Sequence, residues 1–111
     1  MIRGKPVLAI IPVRAGSKGI PGKNLKTVGR DTLLERTIKL SKACTFVDQT
    51  VVSTDDETMF GVAQRHGVSS PSLRPAALAT DNALTIDVVL HTLESISFVK
   101  GYVLLLQVTT P

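Results

Sequence analysis

Residues 14–24 read Arg-Ala-Gly-Ser-Lys-Gly-Ile-Pro-Gly-Lys-Asn. Gly16, Gly19 and Gly22 allow close backbone approach and positive φ, so successive amides can turn toward one anion. Arg14 offers a planar fork, while Lys18 and Lys23 offer point charges on flexible stems. Three cations beside free amides suit a polyphosphate. The segment is not a Walker-type phosphate loop. Counting back from Gly22-Lys23, the required first glycine is Ser17, and Asn24 replaces the hydroxyl residue that would bind Mg²⁺. Nor does it carry the GxGxxG pattern of dinucleotide sites. On pattern alone, a solvated basic turn remains the plain alternative. The surrounding charge is one-sided. Arg3, Lys5, Arg14, Lys18, Lys23, Lys26 and Arg30 all precede the first acid, Asp31. Such placement suits an anionic partner near the N-terminus, or else a solubilising surface.

Other reactive side chains read more simply. His66 falls on a helix face as a partly buried edge residue and His91 at an exposed helical position, and neither has a second ligand at metal spacing. Cys44 has no base partner in sequence, which favours core packing over nucleophilic chemistry. Asp55 and Asp56 are placed to cap a helix, and Asp55 has a second reading in shaping a cleft. Asp81 reads either as a cap or as a residue ordering a loop, and Asp87 as a solvated helix position.

Alternating strand and helix signals position these groups. Val7 to Ile11 is a continuous aliphatic run between Pro6 and Pro12, the pattern of a strand covered on both faces. Residues 14–30 form a long polar loop, and long loops in compact folds are usually functional. Thr32 and Glu35 then make a capping box before a helix with Leu33, Leu34, Thr37, Ile38 and Leu40 as its apolar face. Val51-Val52, preceded by Phe46 and Val47, reads as a strand ending at Ser53-Thr54-Asp55. Met59, Val62, Ala63 and His66 recur at helical spacing until Gly67 stops the helix. Val68 to Ser70 reads as a short strand, and residues 71–80 as irregular. Thr80 or Asp81 then caps a helix with Ile86, Val89, Leu90, Leu93 and Ile96 as its face. Tyr102 to Leu106 reads as a central strand, followed by Gln107.

The order β-α-β-α-β-α-β implies parallel pairing, right-handed crossovers and a doubly wound α/β fold: three α/β/α layers around a mostly parallel sheet. Ligands of such sheets sit beyond the carboxyl ends of the strands. The basic loop, Ser53 to Asp56, and Gln107 onward should therefore converge.

The composition agrees with a single domain over residues 1–111. Hydrophobic residues make up 43%, charged residues 20% and aromatics 4%, with a formal net charge of +4. That excludes a disordered or low-complexity chain. So few aromatics disfavour a base-stacking nucleic-acid module. One cysteine permits no internal disulfide. No apolar run reaches the roughly 18 residues needed to span a bilayer. Pro12 interrupts the first apolar run and no small-residue cleavage pattern follows it, so a buried strand is a better reading than a signal peptide. The expectation is a cytoplasmic protein with neither nucleic acid nor membrane as partner.

The segment Ile11-Pro12-Val13-Arg14-Ala15-Gly16-Ser17-Lys18-Gly19-Ile20-Pro21-Gly22-Lys23-Asn24 closely resembles the N-terminal signature of the CMP-N-acylneuraminate cytidylyltransferases (CMP-sialic acid synthetases). It also resembles related enzymes acting on legionaminate and pseudaminate. Leu73-Arg74-Pro75-Ala76-Ala77-Leu78-Ala79-Thr80-Asp81 looks like the family's Arg-Pro-x-x-Leu-Ala-x-Asp segment, and Leu105-Leu106-Gln107-Val108-Thr109-Thr110-Pro111 like its Leu-Leu-Gln-Pro-Thr-Ser-Pro segment. With Val52-Ser53-Thr54-Asp55 the resemblance runs along the whole chain.

The resemblance implies a Rossmann-like nucleotide-diphospho-sugar transferase fold. It also implies transfer of CMP from CTP to a nonulosonic sugar acid, with release of pyrophosphate. It places Arg14, Ala15, Gly16, Ser17, Lys18 and Lys23 on the triphosphate, with Arg14 and Lys23 as catalytic groups. It places Asn24 against the nucleotide, Arg74 and Thr85 around cytosine and ribose, and Gln107 near the sugar acid. It implies Mg²⁺ as cofactor and a homodimer as assembly. Three departures stand out. Val13 replaces an alanine, Val108 replaces a proline, and the family's full chains are about twice as long. The paired aspartates that hold Mg²⁺ in the family are expected beyond the last matching segment. The alternative reading is a truncated, non-catalytic module of the same fold that binds CTP or anions.

Overall fold

The computed structural model describes residues 1–13, 27–28, 31–54, 56–68, 85–98 and 100–107. Strand β1 (Val7–Val13) is followed by a short antiparallel pair, β2 (Thr27–Val28) and β3 (Asp31–Thr32). Helix α1 (Leu33–Ala43), strand β4 (Gln49–Thr54), helices α2 (Glu57–Arg65) and α3 (Thr85–Ser95), and strand β5 (Tyr102–Leu105) complete the order.

The main sheet has the order β4-β1-β5, and both pairings are parallel. Its centre is β1, the run the sequence marks as buried on both faces, and six of its seven residues are buried. The expected third strand does not form at Val68, and Ser69 and Ser70 lie outside the described residues. Val68 instead closes α2. Its amide donates to Ala63 O at 3.1 Å, and that of Gly67 donates to Gln64 O at 3.0 Å, with Gly67 at φ +71°. This is the Schellman arrangement. β5 was expected to be central. It flanks β1 in the three-stranded sheet instead, and Tyr102 and Val103 are exposed. Among the described strands β5 pairs with β1 alone, and its Leu105 packs with the cluster that meets α3.

The register explains the layers, because side chains alternate faces along a strand. Ile11, Val13 and Val52 face α1 and α2, packing with Leu34, Ile38, Met59, Val62 and Ala63. Leu8, Ile10 and Val51 face the other way, packing with Val89, Leu93, Ile96 and Leu105. Each such buried aliphatic side chain contributes about 1.5–3 kcal/mol. The described elements therefore form the expected α/β/α sandwich.

Two helix faces are rotated from expectation. In α1, Leu40 is 60% exposed while Ser41 is fully buried. At about 100° per residue, Leu40 lies roughly a third of a turn from the centre of the Leu34–Ile38–Ser41 stripe. The Ser41 hydroxyl can be buried because it pairs with Thr50 Oγ1 at 2.7 Å. In α3, Ile86 and Leu90 are exposed, and Val88 and Thr92 are buried in their place. The Thr92 hydroxyl is satisfied by Val88 O at 2.9 Å. Cys44 is half-buried at the α1 C-cap and belongs to neither core cluster, and His91 is half-buried where exposure was expected.

The end of α3 repeats the Schellman pattern without a glycine. Phe98 N donates to Leu93 O at 2.9 Å and Ser97 N to Glu94 O at 3.2 Å, with Ser97 at φ +55°. A left-handed residue costs less as glycine. Ser97→Gly is expected to raise the unfolding free energy by about 0.5–1 kcal/mol. A lower urea midpoint for Ser97→Gly would show that the serine side chain contributes at that corner.

Candidate functional site

Three strand ends meet at one edge of the sheet. Val13 pairs with Thr54, so β1 and β4 finish at the same level. Beyond β5, Leu106 N donates to Ile10 O at 2.9 Å, and the exposed Gln107 follows directly. The convergence expected from the sequence is therefore present at the level of the strand ends. The basic segment follows directly on Val13 in sequence, so its first residue leaves from this edge. Arg14, Ala15, Gly16, Ser17, Lys18, Lys23 and Asn24 lie outside the described residues, as do Arg74, Asp55 and Asp81. Thr85 opens α3.

Around this edge the polar groups of β4 are committed to structure. Thr54 is fully buried and its Oγ1 accepts from Asp56 N at 3.1 Å. Asp56 Oδ1 accepts from Thr58 N at 2.7 Å and Met59 N at 3.3 Å. Asp56 is thus the α2 N-cap that its position suggested.

On α1 the Thr32–Glu35 capping box forms as the sequence indicates. Thr32 Oγ1 accepts from Glu35 N at 3.1 Å, and Glu35 Oε1 from Thr32 N at 3.2 Å. The sequence did not foresee that the second oxygen of Glu35 lies 2.8 Å from His66 Nε2. His66 is the C-cap of α2. No periodicity links positions 31 residues apart, so only a search for complementary side chains on adjacent helices could have found the pair. Hydrogen bonding to His66, reinforced by the Thr32 amide, holds the Glu35 carboxyl down to about 2 from the ordinary 4.5. The stabilisation from this carboxylate is complete above about pH 4.5 and disappears as pH falls toward 2. Denaturant titrations between pH 5 and pH 2.5 should show the wild type losing more stability than Glu35→Gln. Parallel losses would mean that another acid sets the acid limb.

The resemblance brings Mg²⁺ into question. Among the described residues no three His, Cys, Asp or Glu side chains are grouped to hold a metal ion. Asp56, the described acid nearest this edge in sequence, already serves two amides. The described residues therefore do not fit the cation. No described helix is long and apolar enough to cross a membrane.

The layers and strand-end edge define an α/β nucleotidyltransferase fold. The same architecture occurs in a solved structure of CMP:2-keto-3-deoxy-manno-octonic acid synthetase complexed with CTP, at a TM-score of 0.75 and 20% identity, covering 93% of this chain and 40% of that one. The chain belongs to the cytidylyltransferase family, whose sequence model matches residues 8–111. It is 39% identical over 108 residues to the CMP-N,N'-diacetyllegionaminic acid synthase of Legionella pneumophila, covering 95% of this chain and 47% of that protein. It is 34% identical over 107 residues to the pseudaminic acid cytidylyltransferase of Campylobacter jejuni serotype O:2, covering 94% and 46%. The N-acylneuraminate cytidylyltransferase of Escherichia coli O18:K1:H7 is 34% identical over 105 residues, covering 95% and 25%. The chain thus spans half or less of the length of these relatives.

Proposed function

We propose that this chain carries the CTP-binding part of an enzyme that transfers CMP from CTP to a nonulosonic sugar acid. The observation that carries this reading is the strand-end edge itself. A segment rich in glycine and cations follows directly on its Val13, in a chain of the cytidylyltransferase family. The relatives' names supply the sugar-acid class: legionaminic, pseudaminic or N-acylneuraminic acid.

In this reading Arg14, Ser17, Lys18 and Lys23 hold the triphosphate together with the amides of Ala15 and Gly16, and Asn24 meets the nucleotide. Arg74 and Thr85 lie about the cytosine and ribose, and Gln107 about the sugar acid. The anomeric hydroxyl attacks the α-phosphorus, its proton passes to solvent, and the bond to the leaving pyrophosphate breaks. Negative charge grows on the departing oxygen, and Arg14 and Lys23 offset it. Positioning and charge neutralisation are most of what such a transfer requires. Mg²⁺ belongs to this proposal only with carboxylates other than the described ones. A homodimer and a cytoplasmic location fit the same reading.

Isothermal titration with CTP, ATP and pyrophosphate tests the first half of the proposal, and release of pyrophosphate in the presence of each sugar acid tests the second. CTP is expected to bind more tightly than ATP or pyrophosphate. Equal affinity for all three would reduce the site to an anion-binding loop. Selective CTP binding without turnover would favour a non-catalytic module.

A further inference from the structure

The basic segment returns to the fold through β2 and β3, and β3 runs straight into the first turn of α1. That junction is held from two sides. Glu35 accepts from Thr32 N with one oxygen and meets His66 Nε2 with the other. His66 is itself fixed twice by α1, because Lys42 Nζ donates to its carbonyl oxygen at 2.7 Å. That bond ties the main chain at the α2 C-cap to α1, and the imidazole is held by Glu35. The two side chains are only 23% and 22% exposed, so the bridge is better shielded than an ordinary surface pair.

A capping box alone would secure the start of α1, and Thr32 with Glu35 already provides it. The bond to His66 adds a fixed point on α2 against which the returning limb is registered. We propose that Glu35 is a positioning residue for the nucleotide loop, with His66 as its anchor on α2. Resting on the CTP-binding reading above, this inference adds the side chains that fix the β3–α1 junction to which that loop leads in sequence. Ordering the return limb before the ligand arrives lowers the entropy lost on binding.

The test compares wild type, His66→Ala, His66→Gln and Glu35→Gln. CTP affinity is measured by titration well below each melting temperature, and amide exchange is followed over residues 27–35. Gln at position 66 restores an N–H donor, and Gln at position 35 still suits the capping box. His66→Ala is expected to weaken CTP binding about three- to tenfold, the usual range for residues acting through others. It should also speed exchange at residues 27–32, and His66→Gln should recover most of both. Glu35→Gln should show a smaller loss with the cap intact. A lower melting temperature with unchanged CTP affinity in His66→Ala would overturn the inference and leave a purely structural bridge. Failure of the wild type to bind CTP would overturn the CTP reading and this inference together. Failure of the variants alone to differ would overturn only the inference.

Discussion

Gly101→Val is expected to destabilise the fold by about 3–5 kcal/mol, a large share of a typical domain's 5–15 kcal/mol. Gly101 sits at φ +141°, where side chains are rarely accommodated. A Cβ there would collide with Pro6 O and lie 2.8 Å from Phe98 Cζ. The first contact is with backbone and cannot be relieved by a rotamer change. Pro6 O also accepts from Tyr102 N at 2.9 Å, the bond that opens the pairing of β1 with β5. A branched side chain would therefore cost backbone strain and overpacking, and would unseat this hydrogen bond as well. Urea denaturation followed by circular dichroism measures the effect. Gly101→Ala should show a smaller loss in the same direction. A Gly101→Val midpoint close to the wild type would mean that β5 joins β1 by another path.

Lys23→Ala is expected to lower the turnover of CTP by about 10²–10³-fold while leaving the far-UV spectrum unchanged, if the proposed transfer is right. The reasoning is electrostatic. Pyrophosphate leaves carrying more charge than it held in the ground state, so a cation beside it stabilises the transition state more than the bound substrate. Loss should therefore appear mainly in kcat, with a smaller change in KM. Arg14→Lys should act differently, because a point charge cannot reproduce a two-pronged contact, and its cost should appear in CTP affinity as well. Cys44→Ser, at the far end of α1, should leave both parameters near wild type. Equal turnover by Lys23→Ala and wild type would remove Lys23 from the reaction and leave it as a surface charge.

What could be read from the sequence depended on how local the physics was. The aliphatic run of β1, the Thr32–Glu35 capping box, the Asp56 cap and the Gly67 stop each depend on neighbours within a few residues, and each formed as read. Rotational settings of the helices were less legible. Hydrophobicity places Leu40, Ile86 and Leu90 inward, but the structure buries Ser41 and Thr92, because specific hydroxyl partners remove the cost of burying them. The β2–β3 pair, two residues on each side, is too short to leave a periodic signal. The order β4-β1-β5 and the Glu35–His66 contact are tertiary facts with no local trace. At the site, the sequence located the strand ends that converge. The partner that braces the β3–α1 junction came only from the structure.

The placement of β1 between β4 and β5 also sets a timetable for folding. β1 can pair with β4 once residues up to Thr54 exist, and α1 and α2 can then close over that pair. Its other edge must wait for β5, since Val7 pairs with Tyr102 and Ile10 with Leu105. Bringing β5 home closes a loop roughly twice as long as the one closed by β4, which adds only about 0.6 kcal/mol of entropy but delays the event. During synthesis the most apolar of the described strands therefore spends an interval with one hydrogen-bonding edge open. That interval, more than the finished fold, is when the nascent chain is most exposed to misassociation with another copy.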